Sequence, residues 1–269
     1  MNPDTIAFVG GGNMAGALIG GLRRSGRRAA DILVIEPFEA QREKLHAQHG
    51  VAALPGADAR LAEAALVVWA VKPQLFAEAA APCRPYAAGA LHLSVMAGIR
   101  IATLAAATGA ARIVRAMPNT PALIGQGIAG LHANAAVDAA GRAAVERLLA
   151  PTGQSLWVDR EEDLDAVTAL SGSGPAYVFY LLEQMMSAAA EMGLTPEQGR
   201  QLAQATVAGA AALAAQSPEH PSVLRQQVTS KGGTTHAALT VMEAAGVGPA
   251  IVQAIRAAQR RAKELGDQF

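Results

Sequence analysis

Two groups of residues in this sequence have the types and spacing needed for chemistry, and the first is rich in glycine. Gly10, Gly11 and Gly12 follow the apolar run Thr5–Val9, and Asn13, Met14 and Ala15 come next. Met14, Leu18 and Leu22 then recur every four residues, which is helical spacing. Strand, glycine turn and helix is the setting in which G-x-G-x-x-G/A holds a dinucleotide. Gly10 permits the tight turn, Gly12 lets a pyrophosphate approach the backbone, and Ala15 keeps the helix close to the strand. The free N–H groups of the helix start then face the phosphates. Glu36 ends a second apolar run, Ile32–Ile35, where such a fold places the acid that accepts the adenosine ribose hydroxyls; the alternative is a plain surface carboxylate. The second group is Thr229-Ser230-Lys231-Gly232-Gly233-Thr234-Thr235. Paired glycines before a helical stretch can turn successive N–H groups onto an anion, and Ser230, Thr234 and Thr235 add hydroxyls. A plain helix cap at Thr235 is the alternative.

Other chemistries are missing from the pattern. There is no H-E-x-x-H, C-x-x-C, G-x-S-x-G or P-loop. His46 and His49 are three apart with no nearby third ligand, so no metal site is expected. Between Lys72 and Lys231 the chain has no lysine, which disfavours the helix-borne lysine base used by β-hydroxy acid dehydrogenases. The 22 basic and 22 acidic residues balance, so neither nucleic acid nor an anionic membrane is expected as a partner. One cysteine, Cys83, precludes an internal disulfide and fits a reducing compartment. With no cleavable signal and no apolar run of about 18 residues, the expected location is the cytoplasm.

The elements that must position these groups alternate in type over the first half. Leu66–Val71 reads as a buried strand ending in Lys72-Pro73, Leu91–Val95 as one running into Met96-Ala97-Gly98, and Arg112–Met117 as one followed by Pro118-Asn119-Thr120-Pro121. Helical stretches at 40–48, 74–81 and 101–107 separate them, which implies a doubly wound, mainly parallel sheet with ligands beyond the carboxyl ends of its strands. Gly127–Asn134 and Gly153–Val158 read as edge strands around a helix at 138–149. The acidic run 159–163 reads as a solvated joint and sets the expected boundary, 1–162 against 163–269. Past it strand signals stop. Leu164–Leu170 is helical, Ser171–Pro175 interrupts it, and 176–192 is apolar nearly all round. A capping box with proline, Thr195-Pro196-Glu197-Gln198, opens a helix to about Ala215; 221–228, 237–245 and 249–265 complete an all-α half. Helices so apolar point to a second subunit.

The motifs FVGGGNMA, AVKP at 70–73, SVMAG at 94–98, RAMPNTPA at 115–122, LSGSGPAY at 170–177 and VTSKGGTT at 228–235 occur in this order over nearly the whole chain. Together they resemble the pyrroline-5-carboxylate reductases. The resemblance implies an N-terminal Rossmann domain and an all-α C-terminal dimerisation domain interleaved with its partner's, as a homodimer or a decamer of dimers, with the substrate loop completing a cleft at the dimer interface. It implies NADP(H) or NAD(H) as cofactor and 1-pyrroline-5-carboxylate as substrate, reduced to L-proline. Gly10, Gly11, Gly12, Asn13 and Met14 would hold the pyrophosphate, with Glu36 at the ribose. Ala70, Val71, Lys72, Pro73, Ala97 and Gly98 would line the nicotinamide side, with Asn119 completing the cofactor set. Ser230, Gly232, Gly233, Thr234 and Thr235 would hold the substrate, Ser230 and Thr235 next to the reacting atoms. Lys231 departs from the family's usual proline, which removes a fixed φ from the loop and adds a charge. A cyclic imine already has an electrophilic carbon, so the missing base is no obstacle. The alternatives are a reductase of another cyclic imine, a deazaflavin-linked reductase, or a non-catalytic NAD(P)-sensing protein.

Overall fold

The computed structural model describes residues 2–268. By compactness the chain forms two units. One runs up to Ser173 and includes the stretch from Ala258 onward; the other is Gly174–Ala257. The compact units therefore divide just after the Ser171–Ser173 turn, beyond the acidic run.

The first unit is built on an eight-stranded sheet: β1 (Asn2–Val9), β2 (Ile32–Ile35), β3 (Ala53–Leu54), β4 (Ala64–Trp69), β5 (Leu91–Ser94), β6 (Arg112–Met117), β7 (Gly127–Ala133) and β8 (Gly153–Trp157). Their order in the sheet is β3-β2-β1-β4-β5-β6-β7-β8, and every neighbouring pair is parallel except β6 and β7. The chain leaves β1 toward β2 and β3, then returns to β4 on the other side. The switch point, where open sheets of this kind bind ligands, thus lies between the ends of β1 and β4. Along β1 the side chains alternate between two cores. Ile6 and Phe8 pack with Leu18, Val34 and Val145, and Ala7 and Val9 with Trp69, Phe76 and Ile113. Helices α1 (Asn13–Arg24), α2 (Glu39–His49), α3 (Phe76–Ala87), α4 (Ile101–Thr108) and α5 (Ala139–Leu149) connect the strands.

Three local expectations need correction. β7 is an interior strand, antiparallel to β6 on one side and parallel to β8 on the other, so of these two strands only β8 is an edge. Its glycines conceal this, because Gly130 has no side chain to show a period and Val167 occupies the place of its Cβ. α3 does not stop before Pro82 but continues through Pro82 and Pro85 to Ala87. Each proline removes one intrahelical bond, while Ala80, Cys83 and Ala87 on the opposite face stay buried against the sheet. The segment after the acidic run is a short helix, α6 (Asp163–Val167), that widens into a π-turn over Thr168–Gly172.

The second unit is helical: α7 (Gly174–Glu191), α8 (Pro196–Gln216), α9 (Pro221–Gln227), α10 (Thr234–Ala244) and the part of α11 (Val247–Gly266) before Ala258. Thr195 and Gln198 form the expected capping box in both directions. A Cβ on Gly199 would lie 2.9 Å from that of Ala189, so α7 and α8 meet through small residues. Among the described residues of this unit only Ala189, Gly199 and Ala203 are buried. Phe179 is 59% exposed and Tyr180 65%, with Leu202, Leu213, Val241 and Ile251 also open. Apolar surface of that extent marks an association face. Among the described residues no single helix is long and apolar enough to cross a membrane; α10 and α11 together reach that composition but bend by 55°.

Candidate functional site

β1 delivers the chain into the glycine turn, and its neighbours leave almost no room there. Gly10 has φ +94°, donates its N–H to the Ile35 carbonyl at 2.9 Å, and a Cβ on it would lie 2.7 Å from the Ala70 carbonyl oxygen. Only glycine satisfies both demands. Thus Gly10 and the Ala70–Val71 pair of the AVKP motif form one wall. Gly11 is buried, and a Cβ on it would meet Leu45. Gly12 differs, being exposed with nothing within 4 Å of a would-be Cβ. It stands at the start of α1, where no side chain caps the first turn. The first N–H groups of Asn13, Met14 and Ala15 have no intrahelical acceptor. Uncapped donors beside an empty backbone surface fit a dinucleotide pyrophosphate.

Glu36 lies beside this turn but is not a surface carboxylate. It is buried, with Oε2 accepting the Gly11 N–H at 2.8 Å and Oε1 accepting the Phe38 N–H at 3.0 Å. It therefore shapes the glycine turn from the end of β2. Gln41 donates to the Gly11 carbonyl, and Arg42 to the carbonyls of Glu36 and Pro37 at 3.0 and 2.6 Å. The nicotinamide-side candidates stand at the ends of β4 and β5. Ala70 donates to Val9, and Val95 to Trp69. Lys72 is exposed, Pro73 begins a short 3-10 turn, Ala97 is exposed, and Gly98 takes φ +80° against the Leu265 backbone.

Asn119 is brought to the same edge, but both ends of its amide are engaged inside the protein. Nδ2 donates to the Ser171 carbonyl at 3.2 Å and Oδ1 accepts the Ile128 N–H at 3.0 Å. This makes it a bracket between the β6 end, β7 and the π-turn.

In the helical unit, Thr229 anchors its hydroxyl on the Arg225 carbonyl at 2.6 Å and the chain turns through Gly232 at φ +73°. Gly233 donates to the Ser230 carbonyl at 3.0 Å, and a Cβ on it would lie 2.5 Å from Ser230 Oγ. Gly233 is itself the residue before α10, and no side chain caps that helix. Thr235 is thus not a cap. Its half-buried hydroxyl has no partner among the described residues, and Lys231 and Thr234 are exposed. Apart from the Gly233 N–H, which is engaged with Ser230, the start of α10 carries N–H groups and hydroxyls of the kind that can receive an anion.

Known proteins resemble this chain over its whole length. A family model described as pyrroline-5-carboxylate reductase dimerisation matches residues 161–265, and one described as NADP oxidoreductase, coenzyme F420-dependent, matches 5–98. The chain is 43% identical to the pyrroline-5-carboxylate reductase of Pseudomonas aeruginosa, covering 100% of this chain and 99% of that protein. It is 41% identical to that of Haemophilus influenzae, with 100% of both covered. This chain belongs to the pyrroline-5-carboxylate reductase family. Among solved structures, the pyrroline-5-carboxylate reductase of Coxiella burnetii superposes with a TM-score of 0.90 at 36% identity, over 98% of this chain and 99% of that one. The Plasmodium falciparum pyrroline carboxylate reductase, solved with NADP bound, gives 0.88 at 26% identity, over 99% of both chains.

In this family member an ion network behind the SVMAG loop escapes sequence reasoning. Glu161 Oε1 accepts from Arg115 Nη1 at 2.8 Å and from the Ile101 N–H at 2.7 Å, while Arg100 Nη2 pairs with Asp165 Oδ2 at 2.9 Å. Arg115 is almost fully buried; burial pushes its guanidinium below the ordinary value and Glu161 pulls it back. The acidic run is therefore only partly solvated, with Glu161 turned inward and Asp165, two residues past the run, pairing with Arg100 at the start of α4. The signal in the sequence was a second arginine, Arg115, among the apolar residues that follow Arg112 in β6.

Proposed function

We propose that this chain reduces the C=N bond of 1-pyrroline-5-carboxylate to L-proline with NAD(P)H, the last step of proline biosynthesis. The observation that carries the reading is the uncapped start of α10 beside Ser230 and Thr235, a set of donors suited to a carboxylate, in a chain that also bears a glycine turn suited to a dinucleotide. The cofactor, when bound, supplies the hydride for the imine carbon. The ring nitrogen gains the proton, so the balance is imine, reduced cofactor and one proton in, proline and oxidised cofactor out. The residues of this chain orient rather than react. Gly10 to Met14 hold the pyrophosphate, Glu36 the adenosine ribose, and Ala70 to Pro73 with Ala97 and Gly98 set the nicotinamide face. Gly232 to Thr235 hold the substrate carboxylate, and Ser230 and Thr235 lie closest to the reacting ring.

The helical domain, taken as 163–269, serves as the dimerisation and substrate domain of a homodimer, with a decamer of dimers as the larger assembly. Cytoplasmic action without a nucleic-acid or membrane partner is supported by the balanced charge and by Cys83. Burial pushes that thiol up to about 11, which leaves it unreactive. The test is consumption of NADH and of NADPH, compared with and without pyrroline-5-carboxylate. Oxidation only in the presence of the imine supports the reading. Cofactor binding without turnover would favour the sensor alternative.

A further inference from the structure

We infer that this chain binds NADH in preference to NADPH, and that Glu36 is the residue that decides it. The inference rests on reading the glycine turn as a dinucleotide cradle. Glu36 is held from two directions, by the Gly11 N–H at 2.8 Å and the Phe38 N–H at 3.0 Å, and is only 6% exposed. Its carboxylate cannot swing aside without releasing both bonds, one of which shapes the turn that receives the pyrophosphate. Each oxygen keeps a second lone pair, so a ribose diol can donate to it with the turn intact. A 2′-phosphate brings no proton to share and about two negative charges.

Compensation by a cation is the usual way to admit that phosphate, and here it is weak. No ion pair reaches Glu36 among the described residues. Arg42 is the nearest candidate, but its Nη1 is committed to the main-chain carbonyls of Glu36 and Pro37 rather than to the carboxylate. Arg42 therefore stands at the rim and only softens the repulsion. A carboxylate and a doubly charged phosphate about 5 Å apart, even at the dielectric of water, repel enough to weaken binding about tenfold.

The experiment is a fluorescence titration of the full-length protein, without substrate, with NADH and with NADPH. Competition by adenosine 5′-monophosphate and adenosine 2′,5′-bisphosphate then reads the adenosine end alone. The expected Kd ratio favours NADH by about tenfold. Glu36→Gln removes the charge and should bring the ratio close to one, even where the loss of one of its two backbone N–H bonds weakens both cofactors together, and Arg42→Ala should widen it. Glu36→Asp keeps the charge and should retain the preference while weakening both cofactors, which covers the case in which Glu36→Gln disturbs the turn. Tighter NADPH than NADH binding in the unmodified protein, or an unchanged ratio in Glu36→Gln, would overturn the inference. If such a protein still reduces pyrroline-5-carboxylate, only the preference falls; if neither cofactor binds, the cradle reading falls with it.

Discussion

Asn119 reaches across from the end of β6 to donate its side-chain N–H to the carbonyl of Ser171, 3.2 Å away in the π-turn. A π-turn leaves carbonyls without their usual helical partners, and Asn119 takes up one of them. Its other amide atom accepts from Ile128 at 3.0 Å, so three segments of the first unit meet at one side chain. Asn119→Ala should cost about 1–3 kcal/mol through the two lost bonds, read as a lower midpoint in denaturant. If the residue instead contacts the cofactor directly, the variant should weaken NAD(P)H binding with the midpoint unchanged. The structure favours the first outcome.

The pair Arg115 and Glu161 invites a double-mutant cycle. Arg115 has a side chain 5% exposed and Glu161 one 21% exposed. Glu161→Ala leaves a buried guanidinium unpaired and strips the Ile101 N–H of its acceptor, so a loss of about 3–5 kcal/mol is expected. Arg115→Met combined with Glu161→Ala should cost less than Glu161→Ala alone. Additive losses in urea unfolding would show that the pair is not coupled.

These two cases mark the limit of what the sequence discloses. The cradle was legible because its requirements are local. A turn at Gly10 and an uncapped helix at Gly12 follow from a few consecutive residues, and so does the capping box at Thr195. Contacts made across the fold were not. Glu36 could be placed at the end of β2, but not shown to hold Gly11, which lies 25 residues earlier. Glu161 stood within a run of charges that looked solvated, and only the folded chain turns it onto Arg115 and Ile101. Prolines at 82 and 85 obscured a helix because burial of Ala80, Cys83 and Ala87 outweighs the lost bonds.

Acid should weaken the fold through His92. The ring is fully buried, its Nδ1 accepting from Trp69 Nε1 at 2.9 Å and its Nε2 lying 2.9 Å from the Ala87 carbonyl. Burial pushes its pKa below the ordinary value near 6.5. Above that value the ring is neutral both folded and unfolded, and there is no effect. As pH falls below it, the unfolded chain takes up the proton first, so stability is lost until the folded pKa is passed. His49, lowered mainly by burial, acts in the same direction. The melting temperature should therefore drop between about pH 6.5 and 5. His92→Gln, which can still accept from Trp69, should flatten that drop. An equal slope in both proteins would remove His92 as the cause.

The open apolar face of the helical unit predicts a dimer whose loss is selective. Phe179 and Tyr180 are exposed on α7, on a unit with only three small buried residues among those described. Phe179→Arg should shift the protein toward monomer in light scattering and abolish activity, while the first unit still binds NADH. A variant that remains dimeric would place the association face elsewhere.

Thr235 offers the most discriminating substitution. α10 starts from Gly233 without a side-chain cap, and the Thr235 hydroxyl has no partner among the described residues. Removing it therefore deprives the fold of no hydrogen bond, and the about 1 kcal/mol expected for a lost cap does not apply. If the hydroxyl serves the substrate, Thr235→Ala loses a hydrogen bond to a charged group, worth about 1.5–3 kcal/mol, or roughly ten- to a hundred-and-fifty-fold in kcat/KM. Thr235→Ser, which keeps the hydroxyl, should recover most of that loss. The expected pattern is an unchanged melting temperature, low activity in the alanine variant and near-normal activity in the serine variant. Normal kcat/KM in Thr235→Ala would exclude the Thr235 hydroxyl from the substrate site and leave recognition of the carboxylate to Ser230 and the backbone N–H groups of Gly232 and Thr234.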